Sequence, residues 1–136
     1  MSAAAFAAAA EALADAPFRL HGRDPATGLD CVGLIVAALA ACGRTPALPN
    51  GYRLSQRMLP DLTAFAAANH FAETREPTRA GDVLLLRVGP AQVHFAIALA
   101  RGRFVHAHAG LSRVALGEPP LPWPILRRWR LSEELS

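Results

Sequence analysis

Hydrophobic and polar positions change their period near residue 77, which divides the chain into a helical half and a strand half. Residues 3–16 are mostly alanine and predict a helix, which Pro17 ends by pushing its predecessor out of the α region. Residues 18–28 read as a loop from their glycine and proline content. From Cys31 to residue 41 no position is polar, and Gly43 follows where an αL turn closes a helix; a helix without a polar face belongs in the middle of a domain. Pro46, Pro49, Asn50 and Gly51 mark residues 44–53 as an irregular connection, and residues 52–58 hold a short helical turn. Pro60 opens a further helix in which Leu62, Phe65 and Ala66 share a face, with Asn69 near its end.

Beyond the turn at Gly81-Asp82, residues 83–88, 93–99, 104–108, 113–116 and 125–131 predict short strands. Gly89-Pro90 separates the first two, and a connection with four prolines (119, 120, 122 and 124) precedes the last. Helices followed by an antiparallel meander define an α+β class, with the Cys31 helix packed on the sheet. No internal repeat interrupts this order.

Composition narrows the picture. A chain of 136 residues, 52% hydrophobic and 18% charged, is expected to fold as one domain over residues 1–136. No stretch is long enough to span a membrane, and the apolar residues 3–10 lack the basic start of a signal peptide, so synthesis and retention in the cytoplasm are expected. All fourteen basic side chains are arginine, whose rigid forks suit carboxylates and phosphates. The net charge of +3 and the lack of a basic run interleaved with aromatics give no footprint for nucleic acid. Cys31 and Cys42, eleven residues apart in one helix, are separated by about 16 Å along its axis and form no disulfide.

The candidate chemistry starts at Asp30-Cys31. Asp30 is a favourable N-cap, which places Cys31 at the first helical position, where the helix dipole is expected to draw the thiol pKa below its usual value of about 8.5. A lone cysteine is also a common buried small hydrophobe, and the helix alone does not decide between the two. Gly33, unfavourable inside a helix, implies that a backbone or a substrate passes close by. A thiol nucleophile needs a base. His94 starts the second strand of the meander on the face of Ala96 and Ala98, whose small side chains leave room for an approaching group. Either His106 or His108 on the next strand is able to orient it. A three-residue turn at Ala100-Arg101-Gly102 places His108 opposite His94, and a register centred one residue earlier places His106 there. Zinc is the rival occupant of a Cys/His cluster, but His106-x-His108 is the sole metal-like spacing and Cys31 has no CxxC partner, so no metal or cofactor is expected.

Three segments together resemble the NlpC/p60 cysteine peptidases, papain-like enzymes that cut peptidoglycan stem peptides, and especially their small phage and gene-transfer-agent branch. Asp30-Cys31-Val32-Gly33-Leu34 resembles the D-C-x-G-[LF] nucleophile motif. Ala80-Gly81-Asp82-Val83-Leu84-Leu85-Leu86 resembles the strand that follows it, and His94-Phe95-Ala96-Ile97 with Phe104-Val105-His106-Ala107 resembles the histidine segment. The resemblance implies a papain-like NlpC-type fold with Cys31 as nucleophile, His94 as general base and His106 as the orienting third member. It thereby implies a bulge or shifted register in the 93–108 hairpin. It further implies oxyanion donors among backbone N–H groups at the Cys31 helix start, and a role for Asp30 in receiving the free amine of a substrate's N-terminal L-alanine. Phe18 stands where the family usually has tyrosine, so it can line the substrate wall but offers no hydroxyl. His21 and Val32 stand where smaller or more polar residues are usual.

The expected function is hydrolysis of peptidoglycan stem peptides, at the γ-D-glutamyl–diaminopimelate amide or a neighbouring one. Arg19 and Arg23 are available for stem-peptide carboxylates. Delivery on a phage-like tail particle, with tail proteins as partners, would bring the protein to the periplasm or cell wall. The alternative is a structural or plug component of such a tail that keeps the fold with little activity.

Overall fold

The computed structural model describes residues 3–47 and 59–132. Helix α1 (Ala3–Glu11) is followed by a two-residue hairpin, β1 (Arg23–Asp24) and β2 (Gly28–Leu29), and by α2 (Cys31–Ala41). Then come α3 (Leu59–Ala68) and strands β3 (Phe71–Glu73), β4 (Val83–Gly89), β5 (Gln92–Ala98), β6 (Phe104–His108), β7 (Arg113–Gly117) and β8 (Ile125–Leu131). The architecture is the expected α+β arrangement, with α2 packed on an antiparallel sheet of order β3-β8-β4-β5-β6-β7. The last strand departs from a simple meander: β8 returns across the sheet to pair with β4, and the short β3 adds to its outer edge. The turn expected in residues 52–58 lies outside the described residues.

Helix α1 stops at Glu11, short of Pro17. The sheet edge takes over the chain there: Asp15 N–H donates to Val114 O (2.8 Å), Val114 N–H donates to Ala16 O (2.8 Å), and Asp15 itself adopts φ 74°. These bonds satisfy backbone groups of β7 that a continued helix would leave unpaired.

The sheet has two covered faces. Odd-numbered residues of β4, β5 and β6, including Leu85, Phe95, Ile97 and Val105, meet α2 and α1 in the main core. Phe6 is fully buried there with its ring 5.4 Å from that of Phe71, a burial worth about 2–3 kcal/mol. The opposite face carries Leu84, Leu86, Ala96, Ala98 and Phe104, against which Leu121 and Trp123 pack. The room left by Ala96 and Ala98 is therefore used by the proline-rich strap between β7 and β8. Gly117 lies under Phe104, whose ring would be 2.1 Å from a Cβ at that position.

Asp82 anchors the turn before β4. Fully buried, it accepts from Arg130 Nε and NH2 (2.9 Å each) and from Arg79 N–H (2.9 Å), a bidentate clamp between that turn and β8. Asn69 similarly ties down the end of α3, donating to Phe65 O (3.0 Å) and Ala47 O (3.0 Å) while accepting from Ala47 N–H (2.8 Å).

Candidate active site

Asp30 caps α2 as its residue type suggests: its backbone is extended and its Oδ1 accepts from Gly33 N–H at 2.8 Å. The carboxylate does more than cap. Oδ2 accepts from His21 N–H (2.8 Å) and Oδ1 from Arg23 NH1 (3.2 Å), while the same guanidinium nitrogen donates to Gly22 O (3.0 Å). The loop before β1 is thus drawn onto the helix start. Gly33 makes that approach possible, because a Cβ there would lie 2.0 Å from Gly22 O. The group passing Gly33 is this loop's own backbone.

Asp30 is 0% exposed. Receiving a substrate amine would require it first to release Arg23 or His21. Arg23, expected to meet substrate carboxylates, instead neutralises Asp30, and neither Arg23 nor Arg19 lines the cleft described below.

Strand parity poses a geometric problem that the sheet solves by splitting. Cys31 lies on the α2 side, whereas His94 and His106 share the parity of Ala96 and Phe104 and face the other way. Strands β5 and β6 pair at Ile97↔Val105 and Ala98↔Phe104 and part beyond them, while β5 stays paired with β4 and β6 with β7. A cleft of about 250 Å³ opens in the gap, and Cys31, His94, His106 and His108 all line it. Leu99 N–H donates to Arg103 O (2.8 Å), so the alternate residues Ile97 and Phe95 also turn their N–H groups toward β6. At Phe95, where β6 has moved away, that N–H reaches the Cys31 thiol instead.

The register is the one the three-residue turn dictates, with Arg101 (φ 63°) and Gly102 (φ 74°) both left-handed. The bulge or shifted register implied by the family resemblance is absent from the described β5–β6 pairing. His94 nevertheless bonds to His106, Nε2 to Nδ1 at 3.1 Å with the rings 78° apart. Where the strands diverge, the diagonal neighbour two residues nearer the turn comes within reach. His108 is engaged otherwise: its Nδ1 accepts from Leu111 N–H at 3.0 Å and caps the turn that follows β6.

The electrostatics depart from the dipole expectation. Burial pushes the Cys31 thiol up to about 12; the N–H of Phe95 works against the rise, the charge of Asp30 adds to it, and the N–H groups of Val32 and Cys31 again oppose it. Burial also brings His94 down to about 3, helped by His106 and His108, and brings His106 down to about 4, helped by His108. Desolvation outweighs the helix dipole because Cys31 is only 1% exposed. At neutral pH Cys31 therefore rests as a thiol beside the neutral imidazoles of His94 and His106.

Trp123 is a cleft residue that sequence reasoning missed. Its ring stands 5.6 Å from that of His106 and 6.4 Å from that of His94, and it reaches them because the proline-rich strap crosses the sheet. The prolines marked a connection, but nothing local indicated which strand it would cover. Phe18 also lines the cleft, held by a bond from its N–H to Ser112 O (3.0 Å).

The model of the NlpC/P60 family matches residues 15–120, which includes all of the residues above except Trp123. The chain belongs to the NlpC/P60 family. The fold of this NlpC/P60 domain is shared with NlpC2 from Trichomonas vaginalis (TM-score 0.69, 16% identity), covering 94% of this chain but 48% of that one. The NlpC/p60 domain of the peptidoglycan hydrolase SagA is similar over 87% of this chain and 90% of its own, with 26% identity and a TM-score of 0.59. The P60 domain of an antigen from M. avium subspecies paratuberculosis is similar over 95% and 93%, with 17% identity and a TM-score of 0.59. No curated protein matches the chain by sequence.

Proposed function

We propose that this NlpC/P60 domain is a cysteine peptidase that hydrolyses peptidoglycan stem peptides, with Cys31 as nucleophile, His94 as general base and His106 as the group that orients it. The observation that carries this reading is the His94–His106 hydrogen bond on the wall of the cleft that holds Cys31. Because Nε2 of His94 is engaged with His106, Nδ1 is left to exchange a proton with the thiol. For Nδ1 to accept, Nε2 must carry hydrogen and donate to Nδ1 of His106, which puts the proton of His106 on its own Nε2.

Starting from the neutral pair, the thiol proton passes to Nδ1 of His94 as sulfur attacks the amide carbonyl carbon. Phe95 N–H supports the negative charge on sulfur, and backbone N–H groups at the start of α2 receive the oxyanion. The His94 imidazolium then protonates the leaving amine, the C–N bond breaks, and an acyl thioester remains on Cys31. Water, deprotonated by the same imidazole, hydrolyses the thioester and regenerates the thiol.

The γ-D-glutamyl–diaminopimelate amide is the proposed bond, by resemblance to the family. Muropeptide digests should release diaminopimelate-containing fragments with wild type and none with Cys31→Ser. A second reading, a weakly active structural component of a phage-like tail, is favoured by one observation: the thiol is almost wholly buried and held protonated. Equal inertness of wild type and Cys31→Ser toward muropeptides, together with co-sedimentation with tail particles, would select that reading.

A further inference from the structure

Arg19 and Arg23, the side chains expected to meet substrate carboxylates, stay off the cleft, while His108 lines it without a part in the proton transfers. His108 lies two residues beyond His106 on β6, its ring 5.2 Å from that of His106 and at 69° to it. Its own turn fixes the ring. Nδ1 accepts from Leu111 N–H (3.0 Å), and Gly110 lets the turn close against the imidazole, because a Cβ there would lie 2.9 Å from Cε1. With Nδ1 accepting, the ring carries its hydrogen on Nε2, and none of the described residues accepts from it. The Nδ1–Cε1 edge is thus spent on the turn, and the Nε2–Cδ2 edge is left for the cleft that the residue lines. A cap alone does not call for histidine: asparagine, aspartate and serine are the preferred caps of helical turns and bring no second ring nitrogen.

The rest of the wall makes the same demand. Its polar side chains supply N–H groups, from the imidazoles, the Trp123 indole and the Gln92 amide, and include no carboxylate. The Asp30 charge at the start of α2 is met by Arg23 (3.2 Å). In a cleft of about 250 Å³ so lined, a carboxylate, which only accepts, satisfies donors that a carboxamide would confront with its own N–H groups. We propose that His108 is a specificity-determining residue that donates from Nε2 to a substrate carboxylate beside the scissile amide, the one that a γ-glutamyl linkage leaves free. This rests on the cysteine-peptidase reading and narrows its substrates to peptides whose glutamyl carboxyl is free, over those in which it is amidated.

The test uses two γ-D-glutamyl–diaminopimelate peptides that differ only at the glutamyl α-carboxyl, free in one and a carboxamide in the other. Wild type should show kcat/KM about tenfold or more in favour of the free carboxylate, the ratio that corresponds to about 1.4 kcal/mol. His108→Asn, whose Oδ1 can still cap Leu111 N–H but which has no N–H at the place of Nε2, should bring the two peptides to parity. His108→Gln, which reaches that place with an amide N–H and gives up the cap, should keep most of the preference. A purely structural role for His108 predicts the reverse order of the two variants, and that order would overturn the proposal. Calorimetric binding of both peptides to Cys31→Ala protein reads the same preference without turnover. Selective binding of the free-carboxylate peptide with hydrolysis of neither would remove the peptidase reading and leave this one standing. Equal hydrolysis of both peptides by wild type would overturn this one and leave the peptidase reading intact, and binding of neither peptide overturns it as well.

Discussion

Two buried aspartates, each paired with an arginine, do different work in this domain. Asp82 and Arg130 meet as a bidentate fork at 2.9 Å, remote from the cleft, and lock the turn before β4 to the last strand. Asp30 and Arg23 meet through one nitrogen at 3.2 Å, at the start of the Cys31 helix, and Asp30 divides its oxygens among a helix cap, a loop N–H and the guanidinium. Both carboxylates are 0% exposed. The difference lies in what surrounds them: the first pair fastens a turn to a strand, whereas the second sets the charge beside the buried Cys31 thiol.

Asp82→Ala should produce the largest effect, a loss of about 3–5 kcal/mol in unfolding free energy, because it leaves the Arg130 guanidinium, 18% exposed, without its main partner. Chemical denaturation measures it, and Cys31 reactivity per folded molecule should not change. Asp30→Asn should cost less, about 1–2 kcal/mol, because an amide oxygen still caps Gly33 while the ion pair is lost. It should also accelerate alkylation of Cys31 in a Cys42→Ser background, since the Asp30 charge helps raise the thiol. Slower alkylation in Asp30→Asn would erase the distinction drawn between the two pairs.

The smallest effect near neutrality is the dependence of stability on pH, which separates the cleft from both ion pairs. Between pH 6.5 and about 4, the unfolded chain takes up protons on His94 and His106 that the folded chain refuses, so stability falls as pH falls. Between pH 9.0 and about 12, the unfolded chain loses the Cys31 proton that the folded chain retains, so stability falls as pH rises. A plateau between pH 6.5 and 9.0 is expected for wild type. Cys31→Ala should weaken the alkaline limb, and His94→Gln the acid one, in denaturation curves recorded across that range.

Local rules made much of the fold legible. The unbroken apolar run from Cys31, the Asp30 cap and the Ala100-Arg101-Gly102 turn each specify structure within a few residues, and α2 and the β5–β6 hairpin follow them. Long-range pairing was less legible. The two-residue hairpin β1–β2, the short β3 and the return of β8 to β4 depend on partners distant in sequence, as does the capture of residues 15–16 by β7 that ends α1 early. At the site, residue types and strand parity pointed to Cys31, His94 and a choice between His106 and His108. The divergence of β5 from β6, which brings the thiol and the imidazoles to one cleft, leaves no mark in the spacing of residues. Burial of Cys31 also depends on the whole fold, and so the expected lowering of its pKa gives way to a rise.

Whether Cys31 and His94 act as a nucleophile and base is tested most directly by mass spectrometry of protein quenched during turnover of a stem peptide. An acyl adduct confined to the peptide that contains Cys31, and missing in His94→Ala, is the result predicted. Hydrolysis that continues undiminished in Cys31→Ala, with no adduct on the wild-type thiol, would contradict it.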